Sequence, residues 1–317
     1  MENKKFNLKN FLAQYAIVLV LIALVVFFSL RAPQFLKSTN IFNILRQVAI
    51  NGIIAVGMTM VLLTGGIDLS VGSIVGLSCV LTANLLLSNV PPVFAVLITL
   101  AVGVLVGLIN GFFINAFNIP PLITTLAMQT AIRGVAYIIT GGLPVFGFDQ
   151  AITVIGKGYL GPIPIPVIIM AIVFVIGIIF LEKTRYGRYI YGVGGNEEAS
   201  RLSGVNVKNI KYMVYAICGM LAALAGIVLL ARVNSGQPKA GEKYEMDAIT
   251  SAVLGGVSIA GGEGKLGFVV IGVLLMGVLS NGMIQLNVQE YVQWVVQGGT
   301  LVLAVGFDRF LRTRKKA

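Results

Sequence analysis

Long uncharged apolar stretches alternate with short polar segments along the whole chain. A helix that crosses about 30 Å of hydrocarbon needs roughly 20 residues, and clusters of Pro, Gly and Asn mark the ends of such stretches. The pattern predicts ten membrane segments, at residues 11–30, 47–64, 69–87, 93–116, 122–140, 165–181, 212–231, 246–260, 266–285 and 291–307. Since Gly255-Gly256 interrupts the short eighth segment, we expect it to be partial or re-entrant. We therefore predict an all-α integral membrane protein, a polytopic helical bundle that forms one transmembrane domain over residues 1–317.

The basic residues predict how the bundle is oriented. Lys4, Lys5 and Lys9 precede the first segment, six Lys and Arg residues lie in 182–211, and five follow the tenth segment. Such clusters mark the cytoplasmic side. Six segments separate the first two clusters and four separate the last two, so all three fall on one side. We expect cytoplasmic N- and C-termini, a cytoplasmic segment 182–211, and external loops at 141–164 and 234–245.

Composition supports a membrane protein and excludes several other classes. Of the 317 residues, 57% are hydrophobic and only 11% are charged, against roughly a quarter charged in soluble domains. The net charge of +11 arises from the flanks of the segments, so we expect no nucleic-acid partner. The absence of His and the scarcity of acids argue against metal sites and acid–base catalysis. We therefore expect a non-enzymatic chain with no metal and no energy source of its own.

A few polar residues lie within or beside the apolar segments. Asp68 is either a cap for the third segment or part of a pathway, because an acid at membrane depth is costly. Arg133 lies midway along the fifth segment, and Asp68 is the only acid between Glu2 and Asp149, so we hypothesise an Asp68–Arg133 ion pair. The candidates for a translocation pathway or for polar contacts between helices are Asp68, Ser70, Arg133, Asn110, Asn115, Asn281 and Gln285.

Small residues and a short repeat suggest how the helices pack. Gly103, Gly107 and Gly111 are spaced by four, so they share one helix face that another helix can approach closely. Residues 63–70 resemble residues 253–260, which is consistent with duplicated halves. The glycine-rich stretch 261–265 lacks the spacing of a phosphate loop and is expected to be a turn.

The segment 182–211 contains a candidate docking helix. Asn196 is a good N-cap, Glu197 and Glu198 fall in the first turn, and Gly204 ends the stretch. The pattern fits either a solvated helix or a docking site for a cytoplasmic partner.

Three ordered motifs lie at 55–73, at 187–205 and at 244–256. They resemble those of ribose-type sugar permeases of ATP-binding-cassette (ABC) importers. The resemblance implies a permease subunit in the bacterial cytoplasmic (inner) membrane that imports ribose or a related monosaccharide. It also implies a second permease copy or paralogue, a cytoplasmic ATPase with two nucleotide-binding cassettes, and an extracytoplasmic sugar-binding protein. ATP and Mg would then belong to the ATPase, with no cofactor on this chain. By the same resemblance, the residues that couple to the ATPase are Gly195, Asn196, Glu197, Glu198, Ala199, Ser200, Arg201, Leu202, Ser203 and Gly204.

Two other classes of protein remain as alternatives. An ion-driven secondary transporter needs acids or His within the membrane, and Asp68 is nearly the only candidate. A membrane-embedded enzyme is disfavoured because catalytic clusters are missing from the sequence.

Overall fold

A computed structural model describes the backbone of residues 8–316 and the side chains of residues 17–306. The side chains of Lys4, Lys5 and Lys9 and of the basic tail at 309–316 lie outside the described residues. The helices are α1 (Leu8–Arg31), α2 (Ser38–Leu63), α3 (Val71–Leu87), α4 (Pro92–Ala116), α5 (Pro121–Thr140), α6 (Thr153–Lys157), α7 (Ile165–Lys183), α8 (Arg185–Gly195), α9 (Glu197–Leu202), α10 (Val207–Val233), α11 (Tyr244–Leu254), α12 (Leu266–Gln285) and α13 (Glu290–Lys316). A 3₁₀ turn at Gln150–Ile152 and a two-residue-strand hairpin, β1 (Tyr159–Leu160) with β2 (Ile163–Pro164), complete the described chain. The mostly helical fold is confirmed.

Within the described residues, six helices are long and apolar enough to cross a membrane: α2, α4, α5, α7, α10 and α12. Two shorter apolar stretches, Ile17–Arg31 of α1 and the whole of α3, accompany them. The eighth predicted segment contains only the 11-residue α11, which ends just before Gly255-Gly256. At 1.5 Å per residue its length is about 16 Å, half of the hydrocarbon thickness. The partial helix expected from the glycine pair is therefore present.

The helices divide into a buried centre and an apolar periphery. We compare an apolar stretch of 18 residues in each helix. In α2, 83% of the residues of this stretch are buried, whereas in α5 and in α7 only 22% are buried. The outer helices nevertheless carry large apolar side chains outward, such as Ile138 and Ile176. Such a surface needs lipid as its solvent. The fold is therefore that of an integral membrane protein.

The most extensive contact between two described helices joins α4 to α10. A Cβ atom added to Gly103 would lie 2.5 Å from the carbonyl oxygen of Gly219, and one added to Gly107 would collide with the carbonyl of Tyr215. Gly111 faces Tyr212, whose ring carbon Cδ1 would lie 3.0 Å and whose Cα would lie 3.2 Å from an added Cβ. The three glycines predicted to share a face thus lie against α10, where backbone contact replaces side-chain packing.

The ends of α2 and α11 have the same local geometry. Gly65 and Gly256 have positive φ angles of 78° and 83°, and each donates its N–H to the carbonyl three residues earlier. The following residue donates five residues back in both cases, as in a Schellman helix end. This likeness supports the duplication, with Gly65 matching Gly256 rather than Gly255.

Segment 182–211 contains more helix than the sequence led us to expect. Besides α9 it forms α8, whose N-cap Thr184 accepts the N–H of Gly187 at 3.2 Å. The loop at 141–164 contains the 3₁₀ turn, α6 and the hairpin. Its Gly156 lies against Arg232 near the end of α10. Because α7 separates this loop from α8, the two polar regions lie at opposite ends of the bundle.

Candidate functional site

A non-helical stretch of backbone, residues 235–243, leads into α11 and is called the re-entrant segment here. It packs along α3 within the stretch 234–245, where we expect an external loop, and Glu245 already belongs to α11. A Cβ added to Gly76 of α3 would lie 2.9 Å from the carbonyl oxygens of Pro238 and Ala240. Irregular backbone at membrane depth is tolerated only where its polar groups are satisfied by protein or water. The segment therefore needs hydrogen-bond partners from its neighbours.

Arg133 of α5 supplies those partners. Its Nη1 donates to the carbonyl oxygens of Pro238 at 2.6 Å and Ala240 at 2.7 Å, and its Nη2 donates to Gly72 O at 2.9 Å. The guanidinium thus joins α3, α5 and the re-entrant segment. The hypothesised ion pair with Asp68 is wrong, because Arg133 is committed to backbone carbonyls instead. A planar group with several donors can satisfy three carbonyls, which a single ammonium cannot do equally well.

Glu245 adds a second link at the start of α11. Its side chain is buried, and its Oε1 accepts a hydrogen bond from Gln129 Nε2 at 2.9 Å. The hydroxyl of Ser73 donates to the carbonyl oxygen of Gln129 at 2.7 Å. An acid in the first turn of a helix also interacts favourably with the helix dipole. These bonds hold α3, α5 and the half-length α11 together at one level of the bundle.

A cavity of about 370 Å³ opens beside this junction. Its lining residues come from α3, α5 and the re-entrant segment, and all are polar or aromatic: Ser73, Gln129, Thr130, Arg133, Tyr137, Lys239 and Glu242. Of the sequence candidates, only Arg133 lies here. Gln129, Arg133 and Tyr137 are spaced by four, so the signal that would have found this face was a polar stripe along the fifth segment.

Asp68 and Ser70 form a separate, fully buried cluster before α3. Asp68 Oδ1 accepts the backbone N–H of Ser70 at 2.9 Å and its hydroxyl at 2.6 Å. Asn110 of α4 donates to the Ser70 hydroxyl at 2.9 Å. The carboxylate therefore closes the turn that leads into α3. It does not cap the helix, because the N-cap residue is Ser70 and no side-chain capping hydrogen bond is made there, and it does not line the cavity.

The remaining amide candidates join helices. Asn281 and Asn40 exchange hydrogen bonds at 2.9 and 3.0 Å, and Gln285 donates to Asn40 at 2.6 Å. Asn115 donates to the carbonyl oxygen of Lys208 at 3.2 Å. These contacts fasten α12 to α2 and α4 to α10. Asn40 was missed in the sequence because it lies outside the apolar segment predicted there.

The short helix α9 stands at the opposite end of the bundle from the 141–164 loop. The side chain of Asn196 accepts the N–H of Ala199 at 2.9 Å, and Gly204 follows the helix with a φ of 84°. Glu197 accepts hydrogen bonds from Lys211 of α10 at 2.9 and 2.8 Å. The Leu202 side chain is 77% exposed. A fixed polar helix with a protruding apolar residue is suited to contact with another protein.

The pKa values in this region follow from local contacts. The hydrogen bond from Arg201, at 2.6 Å to Oε1, lowers the pKa of Glu198. Burial raises the pKa of Tyr191 of α8, whose hydroxyl donates to Gly264 O at 2.8 Å. Glu198 thus stays ionised at neutral pH and Tyr191 stays neutral, as both hydrogen bonds require.

The end of α8 lies against the two glycine loops that follow α2 and α11. Gly262 donates its N–H to the carbonyl oxygen of Leu63 at 2.9 Å. A Cβ added to Gly194 would collide with that same carbonyl, whereas one added to Gly195 would meet nothing within 4 Å. α9 is therefore connected through α8 to both of the similar helix ends, those of α2 and α11.

Comparison with known proteins identifies the family. The model of a family described as "Branched-chain amino acid transport system / permease component" matches residues 40–305. The chain belongs to this family. The ribose import permease RbsC of Bacillus subtilis is 44% identical over 310 residues, covering 97% of this chain and 96% of that protein. RbsC of Escherichia coli K12 is 42% identical over 312 residues, with 97% of each chain covered.

Within the family, this permease is of the ribose type of ABC permeases. The D-allose permease AlsC of Escherichia coli K12 is 38% identical over 313 residues and covers 98% of this chain and 96% of its own. No solved structure matches the chain. Because its relatives are permeases, the protein is a transport subunit rather than an enzyme. With its apolar helices, it is a multi-pass protein of the inner membrane.

Proposed function

We propose that this permease imports ribose or a closely related monosaccharide as the membrane subunit of an ABC importer. The full-length relatives named for ribose and allose support this substrate class. The observation that carries the coupling role is α9, a capped helix with an exposed Leu202 at one end of the bundle. The polar cavity beside the re-entrant segment supports a pathway for a hydroxylated solute.

The proposed assembly contains two permeases, this chain with a second copy or a paralogue. A cytoplasmic ATPase with two cassettes binds ATP and Mg, and an extracytoplasmic sugar-binding protein delivers the solute. The chain crosses the membrane ten times. In the eighth crossing residues 235–243 enter the membrane as irregular backbone and α11 completes the passage. Both termini and segment 182–211 face the cytoplasm, and loop 141–164 faces outward, as the basic clusters favour.

The proposed mechanism starts at α9. ATP binding closes the ATPase, which pushes on residues 195–204 and tilts the helices between outward- and inward-open states. The ion pair between Glu197 and Lys211, at 2.8 Å, carries the displacement to α10. The contact of Gly194 with Leu63 and the bond from Gly262 carry it to the ends of α2 and α11. Both routes lead to helices that border the cavity or the re-entrant segment.

Reconstitution tests this function. Liposomes with the permease, its ATPase, its sugar-binding protein and internal ATP should accumulate labelled ribose, or another sugar from a panel of allose, xylose and galactose. Uptake should stop without ATP and should be insensitive to a proton uncoupler. ATP-independent uptake that a proton uncoupler abolishes would instead indicate an ion-driven transporter.

A pair of matched variants tests the docking helix. Leu202→Asp places a charge where an apolar contact is expected, so ATP-driven uptake should fall by about tenfold or more. Leu160→Asp makes the same change at another exposed leucine, 69% exposed, on the hairpin at the other end of the bundle, and should leave uptake unchanged. Equal uptake by the Leu202 variant and the unaltered protein would contradict the docking role.

A further inference from the structure

The cavity beside the re-entrant segment has a polar lining on an otherwise apolar helix. Gln129, Thr130, Arg133 and Tyr137 of α5 all line it. Other directions around α5 carry exposed apolar side chains, including Val135, Ile138 and Ile139. Within a membrane segment, a charged or amide side chain that faces lipid is costly, so such residues face the protein interior or water. The polar stripe therefore marks a hydrated face, and the apolar directions mark contact with lipid or with another helix.

The wall of the cavity is rigid where it meets the re-entrant segment. Three hydrogen bonds from Arg133 and one from Gln129 to Glu245 fix the positions of α5, the segment and α11. Arg133 thus acts as a positioning residue for the wall. Only the Nε2 of Gln129 takes part in the bond to Glu245. Its Oε1 is therefore available to accept a hydrogen bond from a ligand.

The charges around the cavity balance. Two cations, Arg133 and Lys239, face two acids, Glu242 in the lining and Glu245 behind Gln129. Lys239 and Glu242 are also paired at 3.5 Å. A site with no excess of either sign does not favour an anion or a cation over a neutral solute. It does offer both hydrogen-bond donors and acceptors, together with the Tyr137 side chain.

The size of the cavity and the chemistry of its lining both fit a monosaccharide. A cavity of about 370 Å³ falls within the range of small-molecule sites, about 300–1,000 Å³. A monosaccharide is neutral and carries both donors and acceptors on its hydroxyl groups, so its recognition needs both kinds of partner at close spacing. Arg133 is bonded to backbone carbonyls and therefore sets the shape of the cavity wall. The side chains that remain to contact the ligand are those of Gln129, Tyr137, Lys239 and Glu242.

We propose that this cavity is a sugar-binding subsite of the translocation pathway, in which Gln129, Tyr137, Lys239 and Glu242 contact a neutral monosaccharide. The proposal rests on the importer function above and names the residues that would perform it. Lys239 and Glu242 belong to the segment that follows the end of α10, near the 141–164 loop, so the subsite lies toward the outer side.

Cysteine labelling tests the proposal, in a variant from which Cys79 and Cys218 have been removed. Tyr137→Cys places a thiol in the cavity, and Ile138→Cys places one at the next position, which is 82% exposed on the apolar side. Thiol reagents attack the thiolate, which needs water. A small water-soluble reagent should therefore label Tyr137→Cys about tenfold faster than Ile138→Cys, and ribose should slow labelling at the cavity position only.

Uptake assays with ribose complete the test. Gln129→Ala and Glu242→Gln should each lower ribose uptake by about tenfold, or change the preference among ribose, allose, xylose and galactose, while Ile138→Ala should do neither. Equal labelling at positions 137 and 138, or no effect of the transported sugar on labelling at 137, would overturn the subsite. If the unaltered protein transports none of the four sugars, the importer function fails instead, and the difference in labelling still reports whether the cavity is hydrated.

Discussion

Replacing Arg133 by Gln should loosen the re-entrant segment. The guanidinium donates to three carbonyl oxygens, Pro238, Ala240 and Gly72, at 2.6 to 2.9 Å. A hydrogen bond from a charged donor contributes about 1.5–3 kcal/mol, and three bonds made by one group are not fully additive. We expect a loss of about 3–5 kcal/mol in the stability of this junction.

Hydrogen exchange of the amides in residues 235–244 measures that loss. A local destabilisation of about 3 kcal/mol corresponds to roughly a 100-fold faster exchange, since each 1.4 kcal/mol is a factor of ten. Arg133→Lys should give a smaller acceleration, because an ammonium group matches fewer of the three carbonyls at once. Thr130→Ala is the control on the same helix, because its hydroxyl bonds only within α5, to Leu126 O at 3.3 Å.

Amide exchange in 235–244 that stays as slow in Arg133→Gln as in the unaltered protein would show that Arg133 does not hold the re-entrant segment. A charge swap separates this account from the ion-pair hypothesis. Asp68→Arg combined with Arg133→Asp should not restore uptake or protection, because neither residue bonds to the other in the structure. Restoration by the swap would show that the two charges interact after all.

Three other substitutions test contacts elsewhere in the bundle. Gly107→Ala should lower thermal stability in nanodiscs by several degrees because its Cβ meets the backbone of α10, whereas Gly134→Ala, which meets nothing within 4 Å, should not. Gly194→Ala should reduce the sugar transported per ATP hydrolysed because its Cβ would collide with the carbonyl of Leu63, whereas Gly267→Ala in α12, whose Cβ would meet nothing within 4 Å, should transport normally; equal behaviour of the two would contradict the proposed transmission. Asn281→Ala removes two buried hydrogen bonds and should cost about 1–3 kcal/mol in stability, measured by chemical denaturation in detergent.

Helices and their ends could be predicted because their signals are local. Apolar length, Pro at helix starts and Gly or Asn at helix ends located the main segments, and Gly255-Gly256 ended α11 as expected. The helix α9 is also encoded locally, by Asn196 and Gly204. The Schellman-type ends of α2 and α11 lie where the sequence repeat predicts similar structure. The repeat aligns Gly65 with Gly255, whereas the structure aligns it with Gly256.

The site could not be predicted in the same way because its contacts join residues distant in sequence. Arg133 is paired with backbone carbonyls, which have no signature in the sequence, so a search for an acidic partner led to Asp68. Lys239 and Glu242 reach the cavity only because the re-entrant segment folds back along α3. The balance of charges at the cavity likewise depends on Glu245, more than 100 residues from α5 along the chain.

Coupling to an ATPase requires that α9 face the cytoplasm, where the ATPase can push on it. Single cysteines at Glu197 and at Phe146 of the opposite loop, in a variant without Cys79 and Cys218, can be labelled in intact cells with a membrane-impermeant maleimide. We predict that Phe146→Cys reacts in intact cells and that Glu197→Cys reacts only after the membrane is made permeable. Labelling of Glu197→Cys from outside intact cells would contradict the account.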